Sequence, residues 1–516
     1  MQLVSERGGS RRFAVASATI ALALVALLAF SARAQAAETL YWNNYSATPS
    51  TIGYASIGGG SGSGTLNLSG VEGFESPEGM AYDSVTNRLF VADDSAGEGQ
   101  IVAVNLDGSG AGRFTAPGAP VEGPEGLTLD PATRTLYWIN TESDTISWAR
   151  IDGSAGGLLN LSGVPGADGF RLAIDSVGGR VYWGEQVPGD PARIAFANTN
   201  NSGAGILDIT GATLSEFITG VAIDEVARRI YWVDSTNNEV SFASLNGGGG
   251  GDLGAPGPVE AYGLNFDPSL GRALWGTYIS GEETKANQFG YAFVTGGGGV
   301  ISVAAPTFGV QDPIVIKSPL GAGAPTLTRD AKARASLSCS QGAWGGDSPG
   351  GFVYQAPRTL AYQWTVNGMK IAGATAATHT ATLPGSYACT VTATNHVGSA
   401  EQSSAVVKVT PPRVKLVVKK KAKAQPGQVV TFKVRAKNQG DLKTVKKVRI
   451  CVKLPKAAKA DLKAPKCKTL GKVKSKGKKT AKLKIKVGPN AEGTYKLKFQ
   501  VKGSFGKPAK SKIVVG

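Results

Sequence analysis

Histidine is almost missing from this chain: His379 and His396 are the only two among 516 residues. A Ser-His-Asp relay or a histidine-based metal centre therefore has no material anywhere in the first 378 residues. Cysteine is scarce as well, with Cys339, Cys389, Cys451 and Cys467 standing in neither Cys-x-x-Cys spacing nor a zinc pattern with histidine. Beyond residue 30 no apolar run is long enough to cross a bilayer as a helix. Lysine is nearly absent from residues 37–312, where Lys285 stands alone.

What is present is charge, unevenly placed. The net +17 divides into +3 for residues 1–36, −20 for 37–312, +4 for 313–412 and +30 for 413–516. An acidic majority of this kind is repelled by phosphate backbones, and only the last hundred residues are suited to polyanions. Even there, basic residues are not interleaved with aromatic ones, so nucleic acid is not an expected partner.

Residues 1–36 read as a signal peptide. Arg7, Arg11 and Arg12 precede an uncharged apolar run over residues 13–30, and Ala32-Arg33-Ala34 or Ala34-Gln35-Ala36 offers small-residue cleavage. Ser10-Arg11-Arg12-Phe13 also resembles a twin-arginine signal, and an uncleaved anchor is the competing reading. After cleavage no transmembrane span is expected, and the mature chain is secreted or held at the cell envelope. In that oxidising setting two disulfides are expected, Cys339 with Cys389 and Cys451 with Cys467, each within one compositional segment.

Repetition is the strongest signal. An aromatic-rich triplet recurs as Leu40-Tyr41-Trp42, Leu89-Phe90-Val91, Leu136-Tyr137-Trp138, Val181-Tyr182-Trp183, Ile230-Tyr231-Trp232 and Ala273-Leu274-Trp275, in steps of 49, 47, 45, 49 and 43 residues. Eight residues before the triplet's last position stands Asp83, Asp130, Asp175, Asp224 or Asp267, each ending an apolar run suited to a strand and a capped turn. An arginine follows five residues on, or four at Arg134. The first triplet has no such strand before it, whereas residues 308–312 supply a sixth at the far end, which would close a ring and hide its edges. Periods in the forties mark propeller blades, so residues 37–317 are expected to form a six-bladed β-propeller.

These triplets, the upstream Gly-x-x-x-Asp and turns such as Asp107-Gly108-Ser109 resemble the YWTD repeats of the low-density-lipoprotein-receptor class. That resemblance implies a six-bladed, non-catalytic interaction or release module outside the cell. The four-residue signature is here YWNN, FVAD, YWIN, YWGE, YWVD and LWGT, so no particular receptor partner carries over.

Residues 318–411 read as an immunoglobulin-like domain: Cys339, Trp364 and Cys389 are spaced 25 and 25, and Tyr387 precedes the second Cys by two. Gly342-Ala343-Trp344 and the tail at residues 393–399 resemble bacterial Ig-like surface domains. Residues 412–516 alternate apolar residues with lysine, as in Lys482-Leu483-Lys484-Ile485-Lys486, which is strand periodicity and not a disordered basic tail. They resemble the adhesion-related β-sandwiches of bacterial surface proteins. The fold class is thus all-β: a propeller followed by two Ig-like sandwiches.

No catalytic residue, metal ligand or cofactor site is assigned. Five residues before each repeat Asp lies a ring of positions facing the central opening, Glu78, Glu125, Phe170 beside Arg171, Thr219, Tyr262 and Thr307. Glu78, Glu125, Arg171 and Tyr262 form a possible ligand site at the propeller mouth, open to a polar ligand or calcium, against the plainer reading of a solvated Arg–Glu rim. The expected protein is a binding or adhesion protein, with a protein or glycan on the propeller and an anionic envelope polymer on the last domain. The rival is a metal-dependent lactonase of the gluconolactonase type, also six-bladed. The glycine runs at residues 58–64 and 247–251 open no helix and fit blade turns.

Overall fold

The computed structural model describes residues 37–516 apart from residues 46, 48, 58–61, 96–98, 188, 215, 237–238, 254–260, 269, 278–287, 304–308, 332–333, 345–351, 355–358, 445 and 504–506. The signal-peptide reading, Lys285 and Thr307 lie outside the described residues. No helix among those described is long and apolar enough to cross a membrane. Two compact units divide chiefly between Lys317 and Ser318.

The first unit is a six-bladed propeller. Blades two to six are four-stranded antiparallel sheets, with inner strands Pro77–Asp83, Pro124–Asp130, Leu172–Asp175, Ile218–Asp224 and Ala261–Asp267. Blade one is completed by Val310–Lys317, which pairs antiparallel with Glu38–Asn44. Consecutive inner strands touch all the way round, so the inner edge of each sheet is covered by its neighbours.

The aromatic triplet makes this ring cohere. Trp42, Trp138, Trp183, Trp232 and Trp275 are fully buried, and each packs on the blade before its own, as Trp42 does against Leu274 and Phe289 of blade six. Side chains of this size dominate core energetics, so the blades cohere through their neighbours. Blade two alone has Val91 in that place.

Asp83, Asp130, Asp175 and Asp224 end their strands and cap the turns as their chemistry predicts. Asp83 accepts from the N–H groups of Val85 and Thr86, and Asp224 from those of Val226 and Ala227. The arginines divide into two kinds. Of those five residues on, Arg88, Arg180 and Arg229 lie over aromatic rings, with Arg180 4.1 Å from Phe196 and Arg229 4.7 Å from Phe242. Those four residues on sit at positive φ and reach back to the preceding blade: Arg134 to Asp83 and Arg228 to Asp175, each at 2.6 Å. At the ring closure, Lys317 takes that part against Asp267 and Glu38, with Arg272 3.1 Å from Glu38.

The sixth Asp requires a correction. Ile316 pairs with Thr39 as Asp130 pairs with Thr135, three residues before the tryptophan in both cases, so Ile316 holds the repeat-Asp place. Asp312 lies four residues earlier, where blades three and six have Gly126 and Gly263. Its φ of 48° matches their 44° and 64°. No hairpin tethers the closing strand to the tryptophan strand, so the regular spacing does not transfer to it.

The second unit holds two sandwiches. In the first, Ser336–Cys339 and Gly385–Thr394 lie in different sheets joined by the Cys339–Cys389 disulfide. Trp364 is fully buried with its indole N–H on the Ala376 carbonyl (2.8 Å), and the Tyr387 hydroxyl donates to Leu383 (2.9 Å). His379, half-buried, lies 5.5 Å from Trp364 and 5.8 Å from Tyr387, ring to ring, and burial lowers its pKa; it packs against the core. In the second sandwich, Val429–Asn438 and Lys478–Val487 centre one sheet and Gly493–Val501 and Ala509–Val515 the other, closing over Phe432, Leu483, Ile485, Leu497 and Phe499. Cys451 and Cys467 pair across adjacent strands.

Candidate functional site

The ring of positions converges on one side chain. Arg171 stands in blade four at the place of Gly126 and Gly263, and Asp312 holds the same place in blade one, directly across a six-membered ring. A Cβ at Gly126 would come within 2.6 Å of the Phe170 carbonyl, and one at Gly263 within 2.4 Å of Asp312. Glycine thus lets the inner strands approach closely, and the two blades with side chains there send them into the centre.

Arg171 Nε donates to Asp312 Oδ1 (2.7 Å), Nη2 to Glu78 Oε2 (3.3 Å) and to Gln311, and Nη1 to the Phe170 carbonyl (2.8 Å). Glu125 Oε2 lies 3.8 Å from Nη1. One guanidinium thus joins blades one to four. Gln311 holds the ring position that spacing had given to Thr307. Tyr262 and Thr219 hold it in blades six and five; Thr219 donates to the Ala261 carbonyl, and Tyr262 is half-buried and outside the Arg171 network. Among the described residues, then, the expected quartet is a trio with Asp312 and Gln311 added.

The trio is not a solvated rim. The side chains of Glu78, Glu125 and Asp312 are 13, 14 and 9% exposed and that of Arg171 6%. Burial pushes the Glu78 carboxyl up to about 7, against the pull of Arg171. Burial, followed by the nearby Glu78, pushes Glu125 up to about 8. Asp312 is also raised by burial, with Arg171 opposing. For Arg171, burial works against the charge, but its three carboxylate neighbours outweigh it and raise the pKa. Near neutrality the cluster therefore retains protons, and its cation is the guanidinium. Glu125 Oε2 is buried without a hydrogen-bond partner among the described residues.

Elsewhere along the inner strands Met80, Leu127, Leu172, Val221 and Ile314 narrow the centre to a cavity of about 60 Å³. That admits a few waters and nothing the size of a sugar. Among the described residues no group of three or more His, Cys, Asp and Glu side chains is placed to hold a metal ion.

A larger opening lies at the junction of blades one and two. Tyr45, Leu66, Leu68, Val71, Phe74 and Glu75 line a crevice of about 900 Å³ on the face where the inner strands begin. It coincides with the one junction where the anchoring tryptophan is Val91. The signal for it was present in the triplets, as the single repeat without tryptophan.

Two further features lie in the second unit. Asp441 of the Lys-rich sandwich is gripped by the Ig-like domain: Arg329 at 3.2 Å, Arg334 at 3.1 Å, and the Thr410 hydroxyl and N–H at 2.7 and 2.9 Å. Leu442 joins the Ig-like core beside it. Although partial burial opposes it, these donors hold the Asp441 carboxyl well below the usual range. The lysines stand in directly opposed pairs, among them Lys433 with Lys482, Lys437 with Lys478, Lys496 with Lys512 and Lys498 with Lys510.

Comparison with known proteins agrees with this architecture. The PKD domain family matches residues 352–408. Protein cueball of Drosophila grimshawi is 27% identical over 167 residues, covering 31% of this chain and 26% of the relative. Low-density lipoprotein receptor-related protein 5 of Mus musculus is 25% identical over 209 residues, 40% of this chain and 12% of the relative. The chain thus spans about a quarter or less of these relatives' length. Among solved structures, the crystal structure of a nidogen/laminin complex aligns with 54% of this chain and 98% of its own at 16% identity and a TM-score of 0.44. The chain is thus all-β, with a β-propeller similar in sequence to part of these relatives, a following Ig-like segment that matches the PKD family, and two disulfides.

Proposed function

We propose that the protein is an exported, non-catalytic binding protein of the extracellular space or the bacterial cell envelope. The propeller takes a protein or glycan on the face where its inner strands begin, with the crevice at blades one and two as the main opening. The Lys-rich sandwich holds anionic envelope polymers, and the Ig-like domain carries it. Two disulfides and the apolar leader support an oxidising compartment.

The observation that carries the non-catalytic reading is Arg171. Channel carboxylates can serve as cation ligands, but here Glu78, Glu125 and Asp312 surround a guanidinium that meets all three within 3.8 Å. A divalent ion at that point would face a buried fixed positive charge. Titrating the intact chain with calcium and manganese while assaying hydrolysis of a simple aldonolactone tests the point. The expected result is no saturable ion binding at the channel and no hydrolysis. Lactone hydrolysis that needs the metal and is abolished by Glu78→Gln with Glu125→Gln would overturn the reading in favour of a lactonase.

A further inference from the structure

The Lys-rich sandwich has two basic faces, and they differ in shape. On the sheet built around Gly493–Val501 and Ala509–Val515, Lys420, Lys453, Lys496, Lys498, Lys510 and Lys512 line a groove of about 590 Å³. Lys453, Lys498 and Lys510 form one row across three strands, and Lys496 with Lys512 forms a second, two residues along. Residues opposite on neighbouring strands lie about 5 Å apart and the rows about 7 Å apart. Like charges so placed destabilise a sheet, and among the described residues none of the six ammonium groups meets a carboxylate. The sandwich's three acidic residues are engaged or located elsewhere: Asp441 in the Ig-like clamp, Asp461 on the Tyr495 hydroxyl, and Glu492 outside the groove.

The chemistry of the lining narrows the ligand. Leu454, Pro455 and Leu497 are its apolar members, and no aromatic side chain belongs to it, so neither a sugar ring nor a nucleobase has a face to stack on. No arginine belongs to it, so planar bidentate recognition of a carboxylate is not provided for. A grid of mobile point charges suits a linear chain bearing a charge at every repeat. We infer that this groove is a binding site for linear polyanions with phosphate in the backbone, the opposite face contributing only diffuse attraction. This rests on the reading of the sandwich as the polymer-holding domain and makes it specific to one face.

Binding of the intact mature chain to long-chain inorganic polyphosphate and to poly(glycerol phosphate) is measured between 50 and 200 mM salt, with orthophosphate as the monomer control. Six neutralised phosphates predict a log–log salt slope of about −4, hence roughly a 300-fold loss of affinity across that range. Both polymers should bind far more tightly than the monomer and raise the melting temperature of the second unit, the tighter one indicating the source of the phosphate. Lys496→Gln, Lys498→Gln, Lys510→Gln and Lys512→Gln together should reduce the slope to about −1.5. The matched set Lys433→Gln, Lys437→Gln, Lys478→Gln and Lys482→Gln on the other face should leave it within one unit of the starting value. Equal losses from both sets would overturn the groove while sparing the basic-domain reading. No binding of either polymer would overturn both. Salt-sensitive self-association that neither polymer disperses would assign the groove instead to a second copy's acidic propeller.

Discussion

Replacing Arg171 by methionine removes the one cation that four blades share and leaves Glu78, Glu125 and Asp312 facing one another behind little solvent. Breaking a buried ion pair on one side costs about 3–5 kcal/mol, because the partner charge stays buried. The cluster can take up protons in response, so the loss should grow with pH: smallest near pH 5, where Glu78 and Glu125 are already protonated, and largest at pH 8. Urea unfolding of the intact chain, followed by tryptophan fluorescence, reads this directly, since Trp42, Trp138, Trp183, Trp232 and Trp275 report on blade junctions. The second unit's transition serves as an internal control. Arg171→Met combined with Asp312→Gly should recover a good part of the loss, because glycine is what Gly126 and Gly263 supply at that φ. A loss below about 1 kcal/mol, or one independent of pH, would refute the account of the centre.

Other outcomes follow from the same geometry. In the unaltered protein the stabilising contribution of protonated Glu78 and Glu125 is fully present below pH 4.5 and is lost as pH rises through about 7 and 8, so the propeller's urea midpoint should fall across that window. Asp441 has the opposite sign, its folded pKa being depressed: its contribution is present above pH 3.8 and lost as acid protonates it, and Asp441→Asn should lower the second unit's stability without moving the propeller's transition. Arg228→Ala should cost about 1–3 kcal/mol in the propeller transition by leaving Asp175 buried and short of a partner. Reduction should weaken only the second unit, which holds all four cysteines, with removal of the Cys339–Cys389 link costing about 4 kcal/mol.

The blades were legible because hairpins fix spacing. A strand, a capped turn and a return strand must keep register, so Asp, aromatic triplet and third strand recur at set offsets. The closing strand has no hairpin to hold it, and there the spacing misplaced Asp312 by four residues and pointed to Thr307 where Gln311 stands. The centre was legible in its membership and not in its state: Glu78, Glu125 and Arg171 could be named from the ring positions, but burial depends on how closely six strands approach. The departures from the four-residue YWTD signature also gained a meaning. Its last position, Asn44, Asp93, Asn140, Glu185, Asp234 or Thr277, is buried in every blade; Asn44 and Asn140 accept the tryptophan N–H at 2.7 and 3.1 Å, and Asp93 ties down the N–H groups of Glu75 and Ser76. Varying it changes an internal hub, not a recognition surface.

In the proposed function a basic sandwich holds the chain on anionic polymer while the acidic propeller remains available to a partner. Retention of the intact protein on washed bacterial envelopes, titrated with salt from 50 mM to 1 M, is the decisive measurement. Release should be steep and nearly complete at the upper end, where the screening length falls to about 3 Å, and the lysine-to-glutamine variants should release earlier. Retention that ignores salt, or that survives those variants, would contradict it.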